Sequence, residues 1–215
     1  MRTCLFKTHS QVNANLYQLT LGNHAAYADR HGYDLISLNR TYREMWWGTE
    51  DCVLDLLPKY DRILTVGSDV IFTDLDRPLS HFDDGEHNVF IGEEGLESAP
   101  LNFDVVIWSG AQGVRHVIER LRETRPRYVD HPWGLQMGIA LLAAEPEMSR
   151  YIKVLPPRAI QSAPFRGFPG TWRMGDFALH FVGMSNEEKF FGCQRFLQTG
   201  YMRWMDRVGR NDGGL

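Results

Sequence analysis

The sequence predicts a single α/β domain, and three features of its patterning carry that prediction. Strand-like and helix-like segments alternate from the first residues. A nearly continuous apolar run, Ile63-Leu64-Thr65-Val66, has the character of a strand buried on both faces of a parallel sheet. Glycine and proline clusters separate the periodic segments at intervals suited to short connections.

Residues 3–8 (TCLFKT) form the first strand candidate and run into the polar segment HSQVNAN. From about Asn15 to His31, Leu16, Leu19, Ala26 and Tyr27 recur at helical spacing, and Gly32 follows where a left-handed cap closes a helix. Residues 33–38 (YDLISL) supply a second strand, completing β-α-β. A helix is expected over 49–57, before Pro58. The central run 62–66 is interrupted by Gly67-Ser68-Asp69 and resumes as Val70-Ile71-Phe72. Asp83 to Glu97 reads as a variable, acidic stretch. A strand over 103–108 and a helix over 113–124 follow, with Pro126 ending that helix or closely following its end. Helical character returns over 132–144, then a strand at 151–155 runs into Pro156-Pro157. The Pro- and Gly-rich segment 161–175 reads as loop, ALHFVG as a short strand and 185–199 as a helix. The GRNDGGL tail reads as disordered.

A chain of 215 residues, 43% hydrophobic and 12% aromatic, can bury one sizeable core. Its net charge of −4 gives no global attraction to nucleic acid. Cys4, Cys52 and Cys193 are scattered and odd in number, which argues against a disulfide framework or structural zinc and for a reducing compartment. No apolar run resembles a signal peptide or spans a bilayer, so a soluble protein is expected.

Several residues carry candidate chemistry. Asp69 lies where a buried strand emerges; an ionised carboxylate there must be paired, hydrogen-bonded or bound to a cation, unless it only satisfies turn amides. His180 has apolar neighbours on both sides, as a core histidine or as a ligand sharing a divalent ion with a carboxylate. Asp176 either caps the turn after Gly175 or orients the loop or a substrate hydroxyl. Gln136 opens an apolar helix, where its amide is either idle or directed at a reacting centre. Asn102 is a turn former or a sugar-hydroxyl ligand. Asp74 and Asp76 form a literal D-x-D in an expected loop, Trp46-Trp47 is a stacking platform or packing, and Arg195, Arg203, Arg207 and Arg210 lie among Phe196, Tyr201 and Trp204. By the crevice rule for open α/β sheets, Lys7 and Thr8, at the end of the first strand, are expected to meet a nucleotide.

Taken in order, Lys59-Tyr60-Asp61-Arg62-Ile63-Leu64 leading to Gly67-Ser68-Asp69-Val70-Ile71-Phe72 resembles the K-Y-D-hydrophobic-D-x-D segment of GT-A glycosyltransferases. The most similar family is that of the α-galactosyl-, α-xylosyl- and α-mannosyltransferases of fungal and plant Golgi. Leu101-Asn102, Leu135-Gln136, Pro156 to Ser162, and Gly175-Asp176-Phe177 through His180-Phe181-Val182-Gly183 are similar to its L-N-x-G, D-Q-x-A-L, P-Q-x-x-I-N-S and G-D-F…H-F-A-G elements. Three positions depart: Gly67 replaces the first Asp of D-x-D, Leu135 an acid, and Asp104 the glycine of L-N-x-G.

The resemblance implies a GT-A domain over 1–200, a Rossmann-like nucleotide-binding sheet with flanking helices, and a short extension over 201–215. It implies a nucleoside-diphosphate sugar donor, UDP-linked by preference, with Asp69 and His180 binding Mn²⁺ or Mg²⁺ and Lys189 facing the diphosphate. Gln136 would lie near the anomeric carbon, with Asp176 the second catalytic candidate, and transfer would retain configuration. The acceptor expected is a glycan, a small molecule or a hydroxymethylated base in DNA. A non-catalytic nucleotide-sugar-binding module is the rival class. Without an anchor, the expected setting is the cytoplasm of a bacterial or phage-infected cell rather than the Golgi lumen.

Overall fold

Apolar side chains at successive positions of an extended segment project to opposite faces, so a run such as Arg62–Val66 needs covering layers on both sides of its sheet. The computed structural model supplies them. It describes residues 1–9, 13–39, 48–96, 99–165 and 169–208; the side chains at 8, 9, 39, 95, 96, 99 and 199–208 lie outside that description. The elements are β1 (Thr3–His9), α1 (Ala14–His31), β2 (Asp34–Asn39), α2 (Thr49–Leu56), β3 (Arg62–Val66), β4 (Val70–Phe72), β5 (Val89–Leu96) and β6 (Ala99–Ser109). They continue with α3 (Ala111–Tyr128), α4 (Gly134–Ala144), β7 (Ile152–Leu155), β8 (Ala178–His180) and α5 (Asn186–Val208).

Six strands form one sheet in the order β2-β1-β3-β6-β5-β7. β1 runs parallel to β2 and β3, whereas β6 is antiparallel to both β3 and β5, and β7 is parallel to β5. The sheet is therefore mixed, not parallel throughout. Its period-2 alternation divides the core: Cys4, Phe6, Ile63, Ile91, Val106 and Trp108 pack with Val53 of α2, Val117 and Leu121 of α3, and Ile139 of α4. Leu5, Leu64, Val66, Phe90, Val105 and Ile107 face Tyr27 of α1 and Phe72 and Phe177. Two apolar layers explain the nearly continuous hydrophobic character of β3.

The structure corrects three expectations. The stretch 83–97 contains β5, a full member of the sheet whose Gly-Glu-Glu half disguised it. Pro126 lies inside α3, which runs on to Tyr128. In the last turn a proline removes only its own N–H bond, while Val129 N still donates to Arg125 O at 2.9 Å. The last helix extends beyond 199 to Val208. Gly32 caps α1 as expected, with φ 66°. Among the described residues no helix is long and apolar enough to cross a membrane.

What positions the site is the parting of β3 from β4. The chain leaves the large sheet at Gly67 and forms a separate two-stranded ribbon, β4 with β8, in the register Val70↔His180 and Phe72↔Ala178. One polar stripe on α1 holds this ribbon. Thr20 Oγ1 donates to Ser68 O (2.9 Å), His24 Nε2 to Val70 O (2.8 Å), and Asn23 exchanges bonds with the Phe72 amide and carbonyl (2.8 and 3.0 Å). Residues 20, 23 and 24 share a helix face by their spacing. Leu16 of α1 joins Ile71, Leu179, Phe181 and Cys193 in a third cluster beneath α5.

Candidate functional site

Asp69 stands at the junction of the two sheets. Its carbonyl accepts from Phe181 N (3.0 Å), which fixes the turn on the side away from α1. Its carboxylate reaches the floor of a cavity of about 390 Å³ at the C-terminal end of β3, lined by Gly67, Glu94, Asn102, Asp104, Trp133, Gln136, His180 and Lys189 among others. The antiparallel register of β4 and β8 brings His180 to Asp69, with Nε2 3.4 Å from Asp69 Oδ2. The same Nε2 lies 3.3 Å from Asp104 Oδ2 on β6. Single donor atoms of Asp69, Asp104 and His180 all fall within 4.8 Å of one another.

α5 adds a cation. Ser185 and Glu188 form a capping box, Ser185 N donating to Glu188 Oε2 (2.8 Å) and Glu188 N to Ser185 Oγ (3.3 Å). That cap presents Lys189 in the first turn, where its Nζ donates to Asp69 Oδ2 at 2.6 Å.

The charges are strongly coupled. Burial alone would raise the Asp69 carboxyl, but the charges and hydrogen bonds of His180 and Lys189 hold it well below the usual carboxylate range. Burial would lower the His180 imidazolium, yet Asp69 and Asp104 outweigh it and carry the group to about 9. Desolvation raises the Asp104 and Glu94 carboxyls, with Asp69 adding to both. The His180 proton and the Lys189 ammonium thus supply positive charge that a divalent cation would deliver at one point. Two carboxylates, an imidazole and an existing demand for positive charge fit Mn²⁺ or Mg²⁺.

Asn102 is spent within the site: its Nδ2 donates to Glu94 Oε2 (3.0 Å) and its Oδ1 accepts from Asp104 N (2.8 Å). Gln136 anchors Oε1 on Phe103 N (3.4 Å), while its buried Nε2 has no hydrogen-bond partner. The residue lines the cavity, but this nitrogen is itself buried, so it meets a ligand only if the side chain turns.

The structure brings five of the sequence candidates to the cavity: Asp69, Asn102, Gln136, His180 and Lys189. Lys7 is not among its lining residues. Its side chain is fully buried, with Nζ donating to Thr20 Oγ1 (3.1 Å) above the Tyr17 ring, and burial lowers the ammonium to about 7. Asp176 also lies elsewhere. It accepts from Arg158 Nε (3.0 Å) and Nη2 (2.7 Å), Ser162 Oγ (2.7 Å) and Arg173 N (2.8 Å). Arg158 adopts φ 71° to make these contacts. The P-P-R-A-I-Q-S and G-D-F segments therefore meet in one ion-paired hub. The Thr8 side chain, Trp46-Trp47, the side chains of Tyr201, Arg203, Trp204 and Arg207, and the tail from 209 lie outside the described residues. Asp74 pairs with Arg77 and Asp76 with Arg30, away from the cavity.

Sequence reasoning missed Asp104 and Glu94. Asp104 was visible as a carboxylate two residues after Asn102, hence on the same face of an extended strand. Glu94 was hidden by its Gly-Glu-Glu surroundings.

No protein-family model matches the sequence, and no curated protein matches it. Solved structures share its fold. It is similar to a glycosyltransferase involved in the glycosylation of the major capsid of PBCV-1, with TM-score 0.70 and 13% identity over 90% of this chain and 100% of that one. It is also similar to the galactosyltransferase LgtC in complex with donor and acceptor sugar analogs (TM-score 0.55, 13% identity, 94% of this chain and 99% of that). A third is the apo-form glycosyltransferase GlyE of Streptococcus pneumoniae TIGR4 (TM-score 0.53, 12% identity, 97% and 64%). At these identities the likeness establishes the GT-A fold; function has to come from the site.

Proposed function

We propose that the chain is a glycosyltransferase that moves a sugar from a nucleoside-diphosphate donor to an acceptor hydroxyl. The observation that carries this is the convergence of Asp69, Asp104 and His180 on the cavity at the end of β3, in a chain with the GT-A fold. The reading takes the donor as UDP-linked and Asp69 and His180 as ligands of Mn²⁺ or Mg²⁺; the ion would supply charge neutralisation for the departing diphosphate.

The chain's own residues then have separable tasks. Lys189, which lines the cavity and bonds Asp69, would turn its ammonium to a diphosphate oxygen. Gln136, whose buried Nε2 is unpartnered, would turn that amide to the reacting sugar, and Asn102 keeps Glu94 and the Asp104 backbone in register. The cavity walls orient both substrates, which converts a bimolecular encounter into a near-attack arrangement. In a front-side transfer the bond between the anomeric carbon and the diphosphate oxygen breaks as the acceptor oxygen bonds to the same face. The acceptor proton passes to the leaving phosphate oxygen, and configuration is retained. A glycan, a small molecule or a modified base would each supply the required hydroxyl. The reading keeps a reducing compartment as the setting, with the side chains of Cys4, Cys52 and Cys193 all buried.

The test is nucleotide release from UDP-glucose, UDP-galactose, UDP-xylose and GDP-mannose, with Mn²⁺, Mg²⁺ or chelator. Metal-dependent release from one of them is expected. Nucleotide-sugar binding without hydrolysis or transfer under every condition would make the chain a binding module.

A further inference from the structure

Gly67 and Asp104 are opposite each other at the point where β3 leaves the sheet. Gly67 N donates to Asp104 O at 2.8 Å, continuing the β3–β6 ladder one step beyond Val66↔Val105. A Cβ added at Gly67 would stand 2.5 Å from Asp104 Oδ1, 3.1 Å from Asp104 Cβ and 2.9 Å from Asp69 Oδ1. Gly67 does not have a positive φ, so its backbone would accept any L-residue. What crowds position 67 is therefore the carboxylate end of Asp104, with that of Asp69 beside it, so a side chain there would displace them.

We propose that Asp104 is a metal ligand that replaces, from the neighbouring strand, the carboxylate absent at Gly67. The inference rests on the metal-dependent transferase reading above and adds to it the third ligand and the reason for a glycine in the G-S-D turn. Three observations carry it. Asp104 Oδ2 lies 3.3 Å from His180 Nε2, nearly the same distance as Asp69 Oδ2 at 3.4 Å. Its backbone N–H is tied to Asn102 Oδ1 and its carbonyl to Gly67, so the carboxylate is aimed by its own strand and its neighbour. Its side chain is 41% exposed and lines the cavity, leaving open positions for a diphosphate or water. A carboxylate at 67 and one at 104 would compete for the same volume, so one would have to turn aside.

The exchange has a specific test in the full chain, read as Mn²⁺ affinity by calorimetry and by the Mn²⁺ electron paramagnetic resonance signal, with and without UDP. Asp104→Asn should weaken Mn²⁺ binding by roughly 30-fold, within the range seen when a metal-site contact is removed, with an unchanged circular dichroism spectrum. Gly67→Asp alone should melt at a lower temperature and bind Mn²⁺ no tighter than wild type. The double variant Gly67→Asp/Asp104→Gly should recover Mn²⁺ affinity to within about threefold of wild type, because the carboxylate returns to the same volume by the other route. Wild-type affinity in Asp104→Asn, alongside loss of binding in Asp69→Asn, would overturn the ligand assignment and leave the transferase reading standing. Gly67→Asp with tighter binding and unchanged melting would overturn the claim that the two side chains exclude each other. A wild-type chain that binds no Mn²⁺, with or without UDP, would overturn this inference and the metal-dependent part of that reading together.

Discussion

The ribbon formed by β4 and β8 carries a buried aspartate near each end, and the two could hardly be used more differently. Asp69 and Asp176 are similarly buried, at 8% and 6% exposure. Asp176 is saturated by the two Arg158 nitrogens, the Ser162 hydroxyl and the Arg173 amide. At the other end, Asp69 Oδ2 is shared by Lys189 and His180, and a second carboxylate, Asp104, is set against the same imidazole. A carboxylate that already holds four fixed donors, three on Oδ2 and one on Oδ1, has little capacity left for a ligand. Two carboxylates crowded around one imidazole, beside a cavity, store a demand for positive charge that a bound ion relieves. Burial does not distinguish a structural acid from a functional one; the completeness of its partners does.

The largest effect expected from that contrast is at Asp69. Asp69→Asn should abolish measurable Mn²⁺ binding and lower transfer by about 10³-fold, the scale of losing a dominant electrostatic contact. Circular dichroism should show the fold retained, and calorimetry should report the lost binding. Asp176→Asn should do the reverse. It leaves Arg158 without its carboxylate in a left-handed conformation and should cost about 3 kcal/mol of stability in denaturant melts, with Mn²⁺ affinity unchanged. A variant pair in which these outcomes were exchanged would break the comparison.

Glu50 on α2 sharpens it further, being an acid that is 1% exposed with one carboxyl oxygen unpartnered. Burial, supported by the Asp51 charge, pushes its carboxyl up from 4.5 to about 7. The folded chain then holds this proton more tightly than the unfolded one. The stability it confers is complete below pH 4.5 and is lost as pH rises through about 7. Glu50→Gln should remove that slope and stabilise the protein by roughly 2 kcal/mol at pH 8, read from melting temperatures across pH. The smallest effect expected is at Gln136. Gln136→Ala should reduce turnover by about tenfold and leave Mn²⁺ affinity as it was, if Gln136 acts on the sugar and not on the ion as proposed.

Much of this was written locally. The β-α-β opening, the cap at Gly32 and the apolar run before Gly67 follow from side-chain periodicity and backbone torsion, which act within a few residues. Asp69 and His180 could be chosen from sequence because the ordered motifs around them resemble a known family, where local pattern alone favoured a turn residue and a core histidine. β5 was lost because its second half carries glycine and two glutamates, and only pairing with β6 and β7 makes such a segment a strand. Lys7 and Asp176 have the composition of site residues, yet the packing of α1 over β1 and the hub around Arg158 turn both away from the cavity. Gly67 looked like a missing ligand and Asp104 like an unrelated departure, thirty-seven positions apart by their numbering. The sequence by itself determined that an acid and a histidine would be buried beside an α/β sheet. Only the tertiary structure decided that a second carboxylate would join them, because the register of two antiparallel strands, a non-local property, places Asp104 in the volume that Gly67 leaves empty.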